Sequence, residues 1–262
     1  MSFFTAEEIS VDYGKGAVIE AASFSVDQGS ITGIIGSNGC GKTTLLKGLC
    51  GILPHRGKCT LDGVELEYLT ERKIARLCSY IPQRSGINLD ISALDVVLMG
   101  FNPRLHLLEA PSGEMKQVAI DALVSVGLSE RIDENYMHLS EGQKQLCILA
   151  RTLASGCKLL LLDEPESALD FGVRYKAFDL LRAYVEQGRA AIVTLHDPML
   201  ALNYCDKLLL ISEGRLSAII HPKQDSIPEM EQMLSTVYGR VTLQKCLNKN
   251  GTPYLVMLKE SV

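Results

Sequence analysis

No apolar run in the 262-residue chain approaches the roughly 18–20 residues that a membrane-spanning helix needs. The first ten positions carry acidic groups and no basic cluster, so they lack the n-region of a secretory signal. Basic charge is in deficit overall: 26 Lys and Arg stand against 31 Asp and Glu, a formal net charge of −5 with a pI near 5.6. That balance argues against a general nucleic-acid binder. The eight cysteines, Cys40, Cys50, Cys59, Cys78, Cys147, Cys157, Cys205 and Cys246, include no pair at CxxC spacing, so no zinc site is expected. Most lie in apolar segments and read as reduced core residues of a cytosolic protein. There is no internal repeat and no low-complexity tract. What remains, 47% hydrophobic and 22% charged, is the composition of a soluble globular chain with one large domain or two small ones.

The strongest positive signal is the run Gly36-Ser37-Asn38-Gly39-Cys40-Gly41-Lys42-Thr43-Thr44. An apolar segment at 31–35 precedes it and reads as a buried strand. Leu45, Leu46, Leu49 and Ile52 follow at helical spacing. Strand, glycine loop, Lys-Thr and helix together form a phosphate-binding loop. The glycines let successive N–H groups converge on one point, at the positive end of a helix dipole. Lys42 is expected to reach the β- and γ-phosphates, and the Thr43 hydroxyl to ligate Mg²⁺. Cys40 reads as a small filler of the loop.

The remaining segments alternate between strand and helix patterns. Strands are expected at 8–12 and 19–26 around a turn at 14–16, at 58–61 and 65–69 around Asp62-Gly63, and at 78–82. Tyr13 precedes the loop and reads equally as an aromatic that stacks on adenine or as one that packs on the sheet. Gln83 ends the strand at 78–82, either facing a bound phosphate and Mg²⁺ or solvated at a strand end. Helices are expected at 70–77, capped by Thr70, at 92–99, capped by Ser92 with Asp95 at the third helical position, and at 114–126. The block at about 87–140 has no strand pattern and reads as a helical insertion into an α/β core.

Leu139-Ser140-Glu141-Gly142-Gln143 opens a buried helix at 144–154, with Ser140 as its N-cap and a second helix end open to phosphate. Four leucines at 159–162 form a strand buried on both faces, as in a parallel sheet. It ends in Asp163-Glu164-Pro165, at the edge where α/β sheets bind ligands. Neighbouring strand residues point to opposite sides, so Asp163 is assigned to Mg²⁺ and Glu164 to orienting or deprotonating a water. Ser167-Ala168-Leu169-Asp170 leads to a helix with Phe171, Tyr175, Phe178, Leu181 and Val185 on one side. The strand at 190–195 ends at His196, on the same edge, as a sensor of the terminal phosphate. Strands at 207–212 and 216–220 follow. Residues 222–262 form a separate extension: a helix at 228–237 with Met230, Met233, Leu234 and Val237 inward, and a hairpin of 241–247 and 253–258 around 248–251.

In order and spacing these motifs resemble the nucleotide-binding subunit of ATP-binding-cassette transporters. The loop at 36–44 resembles that family's Walker A, Gln83 its Q-loop, and 139–143 its signature motif. Residues 159–164 resemble its Walker B, 167–170 its D-loop, His196 the switch histidine and Tyr13 the A-loop aromatic. The resemblance covers residues 13 to 196. It implies a P-loop NTPase core of the RecA-like α/β class, with a mixed, largely parallel sheet, a small antiparallel β subdomain and a helical subdomain inserted at about 87–150, all within 1–221. It implies a head-to-tail dimer, of two copies or of this chain with a relative, in which Ser140, Gly142 and Gln143 of one subunit complete the ATP site of the other. Glu164 would activate water and His196 hold it, with Lys42 and Gln83 in support. The nucleotide cradle would comprise Tyr13, Ser37, Asn38, Gly39, Cys40, Gly41, Lys42, Thr43 and Thr44, with Mg²⁺ on Thr43, Gln83 and Asp163.

Three positions depart from the family pattern. Glu141 stands where glycine is usual and is expected to point away from phosphate. Leu146 stands for an arginine and Glu166 for a threonine. The Leu195-His196-Asp197 step, the run 203–206 and the ending Val237-Tyr238-Gly239 resemble importers of iron chelates, namely siderophores, haem or vitamin B12. That implies a peripheral ATPase at the cytoplasmic face of the membrane, with permease partners, an indirect substrate-binding protein and no nucleic acid. A cassette ATPase serving an exporter or a soluble assembly, and an ATP-gated dimerising module with weak hydrolysis, are the alternatives. A chromosome-type ATPase is disfavoured by the short insertion and the acidic charge.

Overall fold

The structure, a computed structural model, describes residues 2–14, 16–83, 86–106, 108–247, 249 and 251–259. The chain begins with an antiparallel pair, β1 (Phe4–Asp12) and β2 (Ala17–Val26). β3 (Ile31–Gly36) follows, then α1 (Lys42–Leu49), β4 (His55–Leu61) and the two-residue β5 (Val64–Glu65). α2 (Glu71–Leu77) and β6 (Cys78–Ile81) lead into α3 (Ala93–Leu98), α4 (Gly113–Ser125) and α5 (Glu141–Ser155). Next come β7 (Leu159–Asp163), α6 (Phe171–Val185), β8 (Ala190–Thr194), α7 (Pro198–Tyr204), β9 (Lys207–Ser212) and β10 (Arg215–Ile220). α8 (Ile227–Tyr238), β11 (Val241–Leu247) and β12 (Pro253–Lys259) close the chain.

These strands form a six-stranded sheet in the order β10-β9-β3-β8-β7-β6, a four-stranded antiparallel sheet in the order β2-β1-β4-β5, and the β11-β12 hairpin. In the large sheet β3, β6, β7, β8 and β9 run parallel, and β10 is an antiparallel edge. The leucines of β7 show why its strand pattern is continuous rather than alternating. Leu160 and Leu162 pack into one core with α3 to α8, while Leu159 and Leu161 pack into a second with α1 and the antiparallel sheet. Strands covered on both faces have no polar side to show. This mixed α/β arrangement, with its antiparallel sheet and its run of helices between β6 and β7, is the expected fold class.

Several expectations shift. β1 begins at Phe4 rather than at residue 8, because Phe4 and Ala6 are buried and pair with both β2 and β4. The segment expected as a strand at 65–69 is β5 followed by a 3-10 turn, Leu66–Tyr68. Leu66 is buried while Tyr68 is exposed, and the Glu67 carboxylate accepts a hydrogen bond from the Cys59 N–H at 2.5 Å, folding the chain back onto β4. Thr70 takes the N-cap position of α2, but its side chain makes no capping bond. Phe171, expected on the same side as Phe178 and Leu181, is exposed; its ring packs on Tyr175 with centroids 5.0 Å apart. α7 was not foreseen; it starts at Pro198, with the Asp197 carboxylate accepting from the N–H groups of Met199 and Leu200. The expected turns at 14–16 and 248–251 include Lys15, Asn248 and Asn250, which lie outside the described residues.

Two α7 side chains stitch the C-terminal hairpin in place: the Met257 N–H donates to Met199 Sδ at 3.0 Å, and Asn203 bonds Leu255 twice. The Asn203 amide donates to the Leu255 carbonyl at 2.9 Å, and its oxygen accepts from the Leu255 N–H at 2.8 Å. In effect the amide serves β12 as a neighbouring strand would.

Candidate nucleotide site

Parallel strands deliver their carboxyl ends to one edge of the sheet, and the candidate residues collect there. Behind β3 the loop turns through two glycines of positive φ, Gly39 at 79° and Gly41 at 105°. Gly41 is also pressed from outside: a Cβ there would lie 2.7 Å from Ile19 Cδ1 and 3.1 Å from the Val18 carbonyl oxygen. Gly36 is equally confined, since its Cβ would lie 2.3 Å from the Ile211 carbonyl oxygen and 2.7 Å from Cys40 Sγ. Cys40 is thus a buried filler beneath the loop. Lys42 is buried, and its ammonium donates to the carbonyls of Gly36 at 2.9 Å and Ser37 at 3.1 Å, so the cation lies folded along the loop.

The two adjacent carboxylates serve different neighbours. Asp163 Oδ1 accepts from the hydroxyls of Thr43 at 3.0 Å and Thr194 at 2.7 Å, and Oδ2 from the phenol of Tyr80 at 3.3 Å. Burial and the Asp163 charge push the Tyr80 phenol upward, keeping it a proton donor. β7 ends at Asp163, and Glu164 leaves the strand at φ 51°. The opposite aim of the two side chains therefore owes as much to this left-handed step as to strand alternation. Such a conformation costs a non-glycine residue about 1–2 kcal/mol. The Glu164 N–H donates to Thr194 Oγ1 at 3.0 Å, which holds the turn. Glu164 Oε2 accepts from the Gln83 amide at 2.5 Å, and Oε1 lies 2.5 Å from His196 Nε2. The Glu164 side chain is 9% exposed and that of His196 is 45% exposed, so the carboxylate lies in a pocket with the imidazole at its rim.

Val18, Asn38, Gly39, Gly41, Lys42, Thr43, Thr44, Gln83, Glu164 and His196 line one cleft of about 340 Å³. Tyr13 borders it, with its hydroxyl 3.4 Å from Thr44 Oγ1. The donors suit a hard cation: a hydroxyl and a carboxylate in contact at Thr43 and Asp163, and the Gln83 amide oxygen left over when its nitrogen serves Glu164.

Ser140, Gly142 and Gln143 do not line that cleft; they form the N-terminus of α5. The Ser140 hydroxyl accepts from the Gln143 N–H at 3.3 Å, and the Gln143 side chain accepts from the Ser140 N–H at 2.9 Å. This reciprocal capping box fixes the end of the helix. The Glu141 carboxylate pairs with Lys144 at 2.9 Å and is 81% exposed.

Sequence reasoning passed over Thr194 and Tyr80, which hold Asp163, and treated Glu166 only as a departure. Thr194 was recoverable as the polar end of an apolar strand that neighbours β3. Glu166 is buried; its Oε1 accepts from the His196 N–H at 3.1 Å, and its Oε2 has no hydrogen-bond partner among the described residues. Burial pushes this carboxyl up to about 7.

Residues 19–167 match the ABC transporter family model. The chain is 32% identical over 259 residues to the hemin import ATP-binding protein HmuV of Pseudomonas fluorescens, covering 96% of this chain and 98% of that one. It is 35% identical over 208 residues to the manganese transport system ATP-binding protein MntB of Listeria innocua, covering 78% and 85%. Among solved structures, a chain of an ABC transporter assigned to the metal-chelate type, in an inward-facing conformation, superposes with a TM-score of 0.82 at 27% identity and 99% coverage of both chains.

Proposed function

The chain belongs to the ABC transporter family of ATP-hydrolysing subunits, and from that premise we propose that it drives import of a metal-chelate compound through a membrane permease. The observation that carries this reading is likeness along the whole chain. The hemin-import relative covers 96% of the chain and the metal-chelate transporter chain 99%, so both likenesses extend well past residue 167, where the family match ends, and into the C-terminal helix. No helix among the described residues is long and apolar enough to cross a membrane, in keeping with a subunit that works against separate permease chains at the inner face of the membrane.

In this reading Tyr13 stacks on adenine, and the loop N–H groups and Lys42 hold the phosphates. Thr43, Asp163 and Gln83 would hold Mg²⁺, which when bound neutralises phosphate charge. Glu164 takes a proton from the attacking water as its oxygen bonds to the γ-phosphorus and the bond to ADP breaks. His196, already 2.5 Å from Glu164, orients that water. Ser140 and Gly142 complete the site of a second subunit, where the exposed helix end meets the γ-phosphate across the dimer. Gln83 touches Glu164 and follows β6, so it passes nucleotide state towards the helical block and the permease.

The test is uptake by a strain lacking this chain and complemented with the parent or with Lys42→Ala. Uptake of haem, a ferric siderophore or cobalamin that the parent restores and Lys42→Ala does not is the expected result. Restoration of free Mn²⁺ uptake alone would replace the chelate reading with that of the manganese relatives.

A further inference from the structure

Three different metal-binding side chains meet in the antiparallel sheet, and none of them lines the nucleotide cleft. His55 opens β4, Cys59 lies four residues along it, and Glu67 sits in the 3-10 turn after β5. Their donor atoms all lie within 4.8 Å of one another. His55 Nε2 is 3.2 Å from Glu67 Oε1 and 4.0 Å from Cys59 Sγ. Around a tetrahedral zinc ion, with bonds of about 2.0 Å to N and O and 2.3 Å to S, those separations are roughly 3.3 and 3.6 Å. We propose that His55, Cys59 and Glu67 form a second cation site, suited to a zinc-class divalent transition ion with its fourth position open to water or an external ligand.

The backbone is shaped for this meeting. Residues four apart on a straight strand are separated by roughly 13 Å, too far for a histidine and a cysteine to touch. Gly57 lies between them at φ 99°, and a Cβ there would lie 2.4 Å from the Glu7 carbonyl oxygen. The β1–β4 register slips at the same place, between Glu7 and Ser10. The kink folds His55 back towards Cys59. The same Glu67 Oε1 that faces His55 also accepts from the Cys59 N–H at 2.5 Å, and Leu66 beside it is buried, so the carboxylate is held against β4.

Access and chemistry agree with the assignment. Cys59 is fully buried, whereas the His55 and Glu67 side chains are 11% and 27% exposed, so an ion enters from their side. A thiolate, an imidazole and one carboxylate select a borderline ion over Mg²⁺, Ca²⁺ or Mn²⁺. Burial, with Glu67 and Cys50 beside it, pushes the Cys59 thiol of the metal-free protein up to about 12; a bound cation reverses this by stabilising the thiolate. The absence of CxxC spacing hid the site, because its ligands are of three types and come from two elements. Gly48, in the last turn of α1, packs near His55: a Cβ there would lie 3.8 Å from His55 Cβ. An ion here would therefore brace the sheet against the far end of the helix that begins at Lys42.

The test is Co²⁺ titration of the full-length chain, free of nucleotide and at mildly alkaline pH, with Zn²⁺ as competitor. The parent should bind one Co²⁺ with thiolate-to-metal absorption in the near ultraviolet, displaced by Zn²⁺. Cys59→Ser should lose that absorption, and Glu67→Gln and His55→Gln should each bind about tenfold or more weakly. Cys50→Ser and Lys42→Ala should keep it, which separates the site from the neighbouring thiol and from the phosphate loop. ATP binding by the Cys59, His55 and Glu67 variants reports that they are folded. A parent without thiolate absorption, or a folded Glu67→Gln and His55→Gln pair that bind Co²⁺ like the parent, overturns the proposal.

Discussion

Glu164 and Glu166 flank one proline, yet their surroundings give them different chemistry. Glu164 meets Gln83 and His196 at the cleft. Replacing it with Gln should leave ATP binding intact and lower phosphate release by about 10²–10⁴-fold, while Lys42→Ala should lose nucleotide binding itself. Parent-like turnover by Glu164→Gln would move the general base elsewhere. Glu166 is shut away, with one oxygen unpartnered among the described residues and its carboxyl raised from the ordinary 4.5 to about 7. The folded chain therefore holds this proton more tightly than the unfolded chain does. The stability linked to it is fully present below pH 4.5 and is lost as pH rises through 7, by about 3 kcal/mol at most. Glu166→Gln keeps an acceptor for the His196 N–H. In urea denaturation at several pH values, its stability should gain on the parent's between pH 5 and 7 and level off above that. A constant difference across the range would place the titration on another group.

At the level of elements, the loop between β3 and α1 is held by what surrounds it as well as by its own turn. Gly39 and Gly41 both have positive φ, but only Gly41 lies against Ile19 and Val18 of β2. Gly39→Ala should cost about 1 kcal/mol, from backbone strain alone. Gly41→Ala adds a contact of 2.7 Å to Ile19 and should cost about 1–3 kcal/mol more, with loss of ATP affinity. Urea midpoints and nucleotide titration of the two variants, side by side, measure the difference; equal effects would show that β2 yields freely. The same comparison explains what was legible. Ser92 and Ser140, with Asp95 and Gln143 three residues on, are local capping signals, and both helices start where those signals stand. The strand expected at 65–69 failed because the contact that ends it, Glu67 to Cys59, crosses from another strand.

For the whole molecule the question is how two halves of a site come together. Lys42, Thr43, Asp163, Glu164 and His196 gather at one sheet edge, while Ser140 and Gly142 lie outside that cleft at the end of α5. A second subunit that offers its α5 end to this cleft would join them. Size-exclusion mass of Glu164→Gln should therefore rise from monomer to dimer on adding ATP. A monomer with ATP bound would mean that the permease, or a different ATPase subunit, must be present to complete the site.

The chain by itself determined the phosphate loop, the capped helices, the buried leucine strand and the order of motifs, because each rests on neighbours a few residues apart. The tertiary structure alone decided which groups surround each carboxylate. Thr43, Tyr80 and Thr194 reach Asp163 from 120, 83 and 31 residues away, through a strand order that local patterns do not encode. It also decided that Glu166 is buried without a full set of partners, and that His55, Cys59 and Glu67 converge at a kink. Charge, burial and ligand geometry at these places are set by long-range packing, and residue spacing along the chain carries no record of it.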